Sequence, residues 1–290
     1  MKDTFTKARN FIHTQARLLE RLLFSVRFEN APPVSIGRVI AAYQNPDGGL
    51  GHALEPDFRC PESQPLFIEI GLSALCDAGC KDKDLALSIC NFLEKNSNPD
   101  GLVPMIFASA LESTHASHMT HVSPPGLNPT CGICGFLHYQ GVKHPWLDRA
   151  TESCCSLLLD NPSNEAHEFL SASHLVDHLP DRRMAQQIFQ KIASNLENSA
   201  FFIRKAPVET YGVTPLHFAR TPASEWRSLF SDEQIRGHLE DLLHKQQEDG
   251  GWPIFWQAAG PASTCEWRGR WTLEAVSTLV AYGAIGENQE

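Results

Sequence analysis

The sequence contains no cluster of basic residues and no long apolar segment. Lys and Arg number 24 against 34 Asp and Glu, so the formal net charge is 24 − 34 = −10. Proteins that bind nucleic acid or an anionic membrane surface need a concentrated positive patch, so we expect neither partner. No apolar stretch approaches the roughly 18 residues of a membrane-spanning helix, so we expect no integral membrane segment.

The cysteines do not suggest a disulfide framework. There are nine of them, an odd number, and no signal-peptide pattern begins the chain, so we predict reduced thiols in a cytoplasmic protein. Cys131 and Cys134 form a CxxC, but no second CxxC completes a zinc site. His115, His118 and His121 are spaced by three, yet the surrounding pattern is irregular and no carboxylate accompanies them. We therefore predict no metal and no cofactor.

A repeated turn is the main feature that the sequence does contain. The stretch QQEDGGWP at 246–253 closely copies YQNPDGGL at 43–50, and NPDGLVP at 98–104 is a weaker third copy. The three aspartates stand 53 (100 − 47) and 149 (249 − 100) residues apart. The second interval is close to three times about 50, and a repeat near 50 residues between helical segments is typical of a helical array.

The chemistry of the turn explains why it recurs. Glycine tolerates positive φ, and an aspartate side chain can accept a hydrogen bond from the backbone two residues further on. The next apolar residue, Leu50 or Trp252, is expected to be buried against the next helix. The repeat therefore predicts a helical architecture and does not by itself predict a reaction.

Apolar residues recur at helical spacing along most of the chain. The clearest stripe runs through residues 4–28 and ends before a proline pair, which breaks a helix. Asp82 is predicted to cap a helix, and Ser231-x-x-Gln234 is a capping-box pattern before another. Further helices are predicted at 65–78, 128–139, 146–160, 165–179, 182–198 and from Thr272 onward.

The remaining segments lack this periodicity and are predicted to be loops, at 51–63, 102–127 and 253–270. Only residues 200–225 have some strand character. Ten or eleven helices in antiparallel pairs predict an all-α fold with one domain over residues 1–290, in which residues 1–30 form an N-terminal helix packed on a barrel. The length suits about five to six helix pairs closed into an α/α toroid.

Two of the turns match the glutamine–tryptophan repeat of triterpene cyclases. Gln246-x-x-x-Gly250-x-Trp252 has the full pattern, and the copy that begins at Gln44 has leucine in place of tryptophan. The chain thus resembles the α/α-toroid superfamily of prenyltransferase β subunits and squalene–hopene-type cyclases. It is also similar to uncharacterised bacterial prenyltransferase-like proteins, which share the patterns NPDGG at 45–49, EPD at 55–57, QP at 64–65, GWP at 251–253 and EWRG at 266–269.

The catalytic motifs of these families are absent from the sequence. It has neither the D-x-D-D proton donor of class II cyclases nor the D-D-x-x-D magnesium motif of class I terpene synthases. The prenyltransferase zinc site uses an aspartate and a cysteine two residues apart, whereas Asp57 and Cys60 are three apart. The resemblance therefore implies a toroid and an isoprenoid substrate, but no mechanism transfers residue by residue.

The first candidate for chemistry is the loop after the first turn. Glu55 and Asp57 lie two residues apart and are flanked by His52 and Arg59. A carboxylic acid in an apolar cavity has a raised pKa and can serve as a general acid. Alternatively, Asp57 and Arg59 form an ion pair that locks the loop. We predict catalytic roles for Glu55 and Asp57 and substrate contacts for His52 and Arg59.

The second candidate is an aromatic group after the third turn. Four tryptophans, a phenylalanine, an acid and two arginines occur within residues 252–271. Aromatic faces can stabilise a carbocation or stack on a sugar ring. The residues predicted for this site are Trp256, Trp267 and Arg268 for substrate binding and Glu266 as a further catalytic acid. Tyr211 and His217, together with Thr214, form a separate third candidate for substrate binding.

These groups predict an enzyme that acts on an isoprenoid or similar apolar small molecule. An acid from residues 55–57 would start acid–base cyclisation or isomerisation, and Trp256, Trp267 and Tyr211 would shape the cavity. The isoprenoid part comes from the resemblance, and the residues alone indicate an acid loop and an aromatic loop.

Two other functions fit the same residues. The first is a carbohydrate-active α/α barrel that pairs Glu55 or Asp57 with Glu209 or Glu266; the second is a non-catalytic binding protein that keeps the toroid. Dry aliphatic surroundings would favour an isoprenoid, whereas polar side chains beside exposed tryptophans would favour a sugar. The oligomeric state cannot be deduced from the sequence.

Overall fold

The structure is a computed structural model that describes residues 2–160 and 163–287. These residues form 13 α-helices and no β-strand, so the prediction of an all-α fold is confirmed. No helix in the described ranges has the length and apolarity to cross a membrane. Contacts between residues divide the chain into two compact units, unit 1 (Met1–Pro32 and Phe201–Glu290) and unit 2 (Pro33–Ala200). The single domain over 1–290 stays a prediction.

Each unit is built from helices joined by irregular segments. Unit 1 contains α1 (Lys2–Gln15), α2 (Leu18–Phe28), α11 (Pro215–Phe218), α12 (Asp232–His244) and α13 (Pro261–Ala281), with a 3-10 helix at Glu225–Leu229. Unit 2 contains α3 (Val34–Ala41), α4 (Pro65–Asp77), α5 (Lys83–Asn96), α6 (Ser109–Glu112), α7 (Leu127–Gln140), α8 (Pro145–Asp160), α9 (Ala166–His178) and α10 (Arg182–Asn195), with a 3-10 helix at Leu196–Asn198.

Helices α4, α7 and α9 run side by side in unit 2 and point the same way. Near their starts, the Ser171 hydroxyl donates to Glu69 Oε1 and accepts from the Gly132 N–H, both at 2.9 Å. At the ends of α4 and α9, Cys76 Sγ lies 3.5 Å from His178 Nε2. Because the contacts advance together along the helices, their carboxyl ends meet at one end of the unit.

Two glycines let α7 approach its neighbours closely. A Cβ atom at Gly132 would lie 1.9 Å from Glu69 Oε1, and one at Gly135 would lie 2.2 Å from the carbonyl oxygen of His174. Both distances are far below van der Waals contact, so any larger side chain would push the helices apart. The close packing brings polar groups of three helices within hydrogen-bonding range.

The predicted helix caps are present. Asp82 accepts a hydrogen bond from the Leu85 N–H at 3.0 Å at the start of α5. At the start of α12, the Gln234 N–H donates to Ser231 Oγ at 3.2 Å, and the Ser231 N–H donates to Gln234 Oε1 at 2.9 Å. These bonds satisfy backbone donors that the first helical turn leaves without partners.

The three repeat turns share one backbone conformation. Gly48, Gly101 and Gly250 have φ of +92°, +83° and +92°, in the region that favours glycine. Asp47 Oδ1 and Asp249 Oδ1 each accept a hydrogen bond from the backbone N–H two residues on, at 2.9 Å and 3.1 Å. The predicted turn chemistry is confirmed.

A helix backbone lies directly against each turn. A Cβ atom at Gly48 would be 2.7 Å from the Ser88 carbonyl oxygen of α5, and one at Gly250 would be 2.3 Å from the Lys7 carbonyl oxygen of α1. The second turn meets Ala150 of α8 in the same way, at 3.0 Å. Two independent constraints therefore favour glycine at these positions. The backbone has a positive φ, and the neighbouring helix leaves no space for a Cβ atom.

The apolar residue after each turn is buried, as predicted. Leu50 and Trp252 have 0% and 2% of their surface exposed. The Trp252 indole donates to the Leu242 carbonyl at 2.7 Å, and its backbone N–H donates to Thr272 Oγ1 at 3.0 Å. Trp252 therefore ties the third turn to α12 and α13 and has a structural function.

The single helical stripe predicted over residues 4–28 is two helices. Arg17 has an extended backbone (φ −64°, ψ 164°) between α1 and α2. Its guanidinium bonds the Glu20 carboxylate through Nε at 3.0 Å and Nη2 at 2.5 Å. The chain turns at Arg17 and the apolar face continues on both helices, which explains why periodicity did not reveal the break.

The strand character predicted for residues 200–225 is also wrong. Among the described residues, the pairing of this segment consists of two isolated parallel bridges, one between Glu165 and Ala200 and one between Phe202 and Val213. Phe202 instead joins an aromatic group in which its ring centroid lies 6.4 Å from that of Phe218 and 6.2 Å from that of Phe230. Packing of this ring accounts for part of the apolar pattern without a sheet, whereas Phe201 is 57% exposed.

Substitution of Gly250 by Ala should destabilise the protein by about 2 kcal/mol or more, because it combines a positive φ with a clash against α1. Gly260→Ala is the matched control, since its backbone is extended and nothing lies within 4 Å of its Cβ position. Gly260 is the N-cap of α13, where alanine is less favourable than glycine, so we expect a loss of stability below about 1 kcal/mol there. Urea unfolding midpoints measure both. Equal midpoints would contradict the assigned role of the turn.

Candidate functional site

The predicted acid loop of unit 2 is held by a second irregular segment. The Arg59 N–H donates to the Thr114 carbonyl at 2.8 Å, and the Ala116 N–H donates to the Asp57 carbonyl at 2.8 Å. Two backbone bonds on either side of Phe58 thus fix the loop against residues 113–116. The loop itself agrees with the prediction for 51–63, and it leads directly into α4.

The two predicted acids of this loop are buried. Glu55 and Asp57 are 3% and 2% exposed. Glu55 Oε2 accepts a hydrogen bond from the Asp57 N–H at 2.8 Å, so one function of Glu55 is to fix the loop backbone. Asp57 Oδ2 lies 3.7 Å from His118 Nε2, and the His118 side chain is 45% exposed. A surface imidazole therefore stands beside a buried carboxylate.

His118 is the residue of this site that sequence reasoning missed. Its spacing from His115 and His121 suggests only a metal site, and nothing in the pattern pairs it with Asp57. Among residues 2–160 and 163–287, no three His, Cys, Asp or Glu side chains are grouped as metal ligands. The flanking residues His52 and Arg59 are exposed, and the predicted lock between Asp57 and Arg59 stays a prediction.

The second candidate loop, 253–270, is largely a helix. Helix α13 begins at Pro261 and places Glu266, Trp267 and Arg268 on its first two turns. Proline suits the first position of a helix, because the N–H that it lacks would have no intrahelical partner there. The prediction failed because the aromatic and charged residues of this stretch hide the apolar periodicity of an ordinary amphipathic helix.

Four aromatic side chains of unit 1 form what we call the aromatic cluster: Tyr211, Trp256, Trp267 and Trp271. The Trp256 ring centroid lies 5.4 Å from Tyr211, 5.1 Å from Trp267 and 6.1 Å from Trp271, with interplanar angles of 77°, 81° and 82°. Edge-to-face contacts of this kind are favourable for aromatic pairs. The three tryptophans are half-buried and Tyr211 is 46% exposed, so the cluster reaches the surface.

Charged groups adjoin the aromatic cluster on the same face of α13. Arg270 Nε lies 3.1 Å from Glu274 Oε1, and the Arg270 guanidinium carbon lies 5.4 Å from the Trp267 ring centroid. Burial raises the pKa of Glu274, but Arg270, Arg220 and His217 outweigh burial and lower the pKa below its usual value of 4.5. Glu274 is therefore ionised at neutral pH.

His217 is fixed beside the cluster by a helix cap. Its Nδ1 accepts a hydrogen bond from the Thr214 N–H at 2.9 Å and lies 2.9 Å from the Thr214 hydroxyl. Because Nδ1 accepts, the neutral ring carries its proton on Nε2. The ring centroid lies 5.7 Å from that of Trp271, so the histidine adds an oriented polar group to the cluster.

The structure thus brings Trp256 and Trp267 of the second candidate together with Tyr211 and His217 of the third. Arg270, one of the two arginines of the second candidate, also lies there, and Arg220 and Glu274 are residues that sequence reasoning missed. Residues 267, 270, 271 and 274 are spaced by three or four, which places them on one face of a helix. This signal would have identified most of the group if the start of α13 had been predicted. The catalytic role of Glu266, which lies half-buried on α13, stays a prediction.

Arg268 faces the third repeat turn. Its Nη2 donates to Gln247 Oε1 at 2.7 Å and to Asp249 Oδ1 at 2.8 Å, and its guanidinium carbon lies 4.7 Å from the Phe11 ring centroid. The hydrogen bond from Arg268, with smaller contributions, lowers the pKa of Asp249 below its usual value of 3.8. These contacts give Arg268 a structural function, and its contact with substrate stays a prediction.

The stabilisation from the Arg268–Asp249 pair should depend on pH. Because the folded-state pKa of Asp249 lies below 3.8, the stabilisation is present above that value and is lost as pH falls through the folded pKa. A double-mutant cycle of Arg268→Gln and Asp249→Asn, monitored by urea unfolding, measures it. We expect an interaction of up to about 1 kcal/mol at pH 7, since Asp249 is half-exposed, and a smaller value near pH 3. An interaction that does not change between these pH values would contradict the assignment.

Comparisons with known proteins assign neither a family nor a function to the chain. No protein-family model matches the chain, and no curated protein matches it. The resemblance to toroid enzymes, drawn from the repeat turns, therefore stays a prediction.

Proposed function

We propose that unit 1 binds a small polyhydroxylated ligand, a sugar or sugar-like compound, at the aromatic cluster. The observation that carries this proposal is the ionised Arg270–Glu274 pair beside half-buried tryptophans. Such sites present an apolar ring face together with a few oriented polar groups. A sugar ring could place its C–H face on an indole while its hydroxyls donate to Glu274 and accept from Arg270.

The same charges make the cluster a poorer site for a carbocation. An aromatic face attracts a cation through its electron-rich π system, but the Arg270 guanidinium already stands 5.4 Å from the Trp267 ring centroid. A developing positive charge at this ring would be repelled by Arg270 and Arg220. Polar side chains beside accessible tryptophans favour the sugar over the apolar isoprenoid.

The fold that we propose for the chain is the α/α toroid indicated by the repeat turns. Its support is that the three turns share a positive-φ glycine and a helix backbone directly against that glycine. We also propose a cytoplasmic location, which is supported by nine cysteines that are all free, as expected in a reducing compartment.

A saccharide panel, including uronic acids, tests the binding proposal by isothermal calorimetry. We expect Trp256→Ala and Glu274→Gln each to weaken binding of the selected sugar by about tenfold, roughly 1.4 kcal/mol. Trp146→Phe is the control, because this tryptophan is fully buried in α8. Farnesol serves as the apolar competitor. Binding of farnesol without binding of any saccharide, or equal affinities of Trp256→Ala and the native protein, would overturn the proposal.

A second candidate function is acid–base catalysis at Asp57, favoured by the neighbouring His118. The imidazole is 45% exposed and the carboxylate 3% exposed, so His118 could carry protons between solvent and a buried acid. This arrangement suits the proton-initiated isoprenoid chemistry indicated by the resemblance. It concerns unit 2 only and is independent of sugar binding in unit 1.

Deuterium incorporation tests this second function. The protein is incubated with farnesol, geranylgeraniol or squalene in D₂O, and mass spectrometry measures deuterium in the recovered compound, since protonation of an alkene and subsequent proton loss exchange hydrogen. We expect Asp57→Asn to reduce incorporation by about 10²-fold or more and His118→Gln to reduce it as well. His121→Gln is the control. No incorporation by the native protein, or equal incorporation by Asp57→Asn, would rule this function out.

A further inference from the structure

A thiol and an imidazole meet where α4 and α9 end. Cys76 Sγ, on the last turn of α4, lies 3.5 Å from Nε2 of His178, the last residue of α9. The two residues are 102 positions apart in the chain. The acid loop precedes α4, so this pair lies at the opposite end of the α4–α7–α9 group from residues 52–60.

Aromatic side chains of α7 hold the imidazole in place. The His178 ring centroid lies 6.3 Å from Phe136 and 5.3 Å from Tyr139. Lys81 Nζ in turn lies 5.0 Å from the Tyr139 ring centroid. An imidazole packed between rings loses little further conformational freedom when it accepts a proton from a neighbouring group. A general base needs to be held in position in this way.

Cys76 differs from the other cysteines in its surroundings. Seven of the nine are buried, Cys76 is half-buried and Cys265 is exposed. Burial raises the pKa of Cys90 to about 12 and that of Cys155 to about 11, so these thiols are inert at neutral pH. Cys76 combines access from solvent with an imidazole at hydrogen-bonding distance.

The charge state of His178 suits a proton acceptor. Burial lowers its pKa below the usual 6.5, Asp177 opposes this effect and Arg182 adds to it. The imidazole is therefore neutral at pH 7 and has a lone pair for the thiol proton. The other titratable groups nearby are His138, whose pKa is lowered by burial and in part by His178, and Tyr139, whose pKa is raised by burial and in part by Cys76 and Cys80.

We propose that Cys76 and His178 form a nucleophile–base pair that reacts with a small molecule bearing an electrophilic carbon and a leaving group. As Sγ attacks that carbon, an S–C bond forms, the bond to the leaving group breaks and the leaving group departs with its electron pair. Nε2 of His178 takes the thiol proton and later releases it to solvent or to the leaving group. This activity is separate from ligand binding in unit 1 and from the acid loop.

Alkylation by iodoacetamide is the test, because it forms the S–C bond and releases iodide. Peptide mass spectrometry monitors Cys76 and Cys265 in the same molecules, so Cys265 serves as an internal reference for an unassisted exposed thiol. We expect His178→Gln to slow labelling of Cys76 by about tenfold or more without changing labelling of Cys265. His174→Gln is the matched control, one turn earlier on α9 and also against Phe136, and should label like the native protein.

The pH dependence in the native protein gives a second readout that needs no variant. Labelling of Cys76 should level off once His178 is neutral, and its pH profile should therefore differ from that of Cys265. Cys76→Ser should remove the corresponding mass shift. An unchanged Cys76 rate in His178→Gln, or a Cys76 profile that matches that of Cys265, would overturn the proposal.

Discussion

The close approach of a glycine turn to a helix backbone is the constraint on which the rest of this structure depends. At Gly48 and Gly250 the chain reverses at positive φ while a helix carbonyl lies closer to the Cβ position than any side chain permits. In the third turn, the Gln246 side chain completes the contact, because its amide donates to the Thr4 carbonyl at 2.9 Å and to the Gly250 carbonyl at 3.0 Å. A turn that is fixed on both sides sets where the next segment of chain begins. The repeated sequence thus positions the segment that comes after it.

The segments after the turns carry the candidate chemistry. Residues 52–60 come after the first turn and contain two buried carboxylates, and the segment after the third turn brings Trp256 to α13. Neither segment is helical, so its side chains are not committed to a helix face and can serve a site. The buried residue directly after each turn, Leu50 or Trp252, anchors the start of the segment. The anchor has a structural function, and the residues beyond it include those proposed for the candidate sites.

Local rules predicted much of this fold, and tertiary contacts explain the features that they missed. The turns and the caps at Asp82 and Ser231 depend on residues no more than a few positions apart, so the sequence reveals them. The start of α13 was missed because an aromatic and charged helix face has no simple apolar period. His118 approaches Asp57, and His178 approaches Cys76, only through packing of distant segments. Such pairs lie beyond any spacing rule, whereas the aromatic residues of unit 1 were found because they cluster in sequence as well as in space.

The partners of each ionisable group decide which reaction it can support. Glu274 stands among Arg270, Arg220 and His217 and stays ionised despite burial, so it can accept hydrogen bonds from hydroxyl groups but is a poor proton donor at neutral pH. His178 is partly buried without enough negative charge nearby to hold a proton at neutral pH, so it suits the role of base toward a thiol. A carboxylate kept charged by arginines suits the proposed recognition of hydroxyl groups, and an imidazole kept neutral by burial suits the proposed proton transfer. The same physical effect, the cost of burying a charge, is compensated in unit 1 and left uncompensated at the end of α9, and this difference is the physical basis for proposing ligand binding at the first place and a reactive thiol at the second.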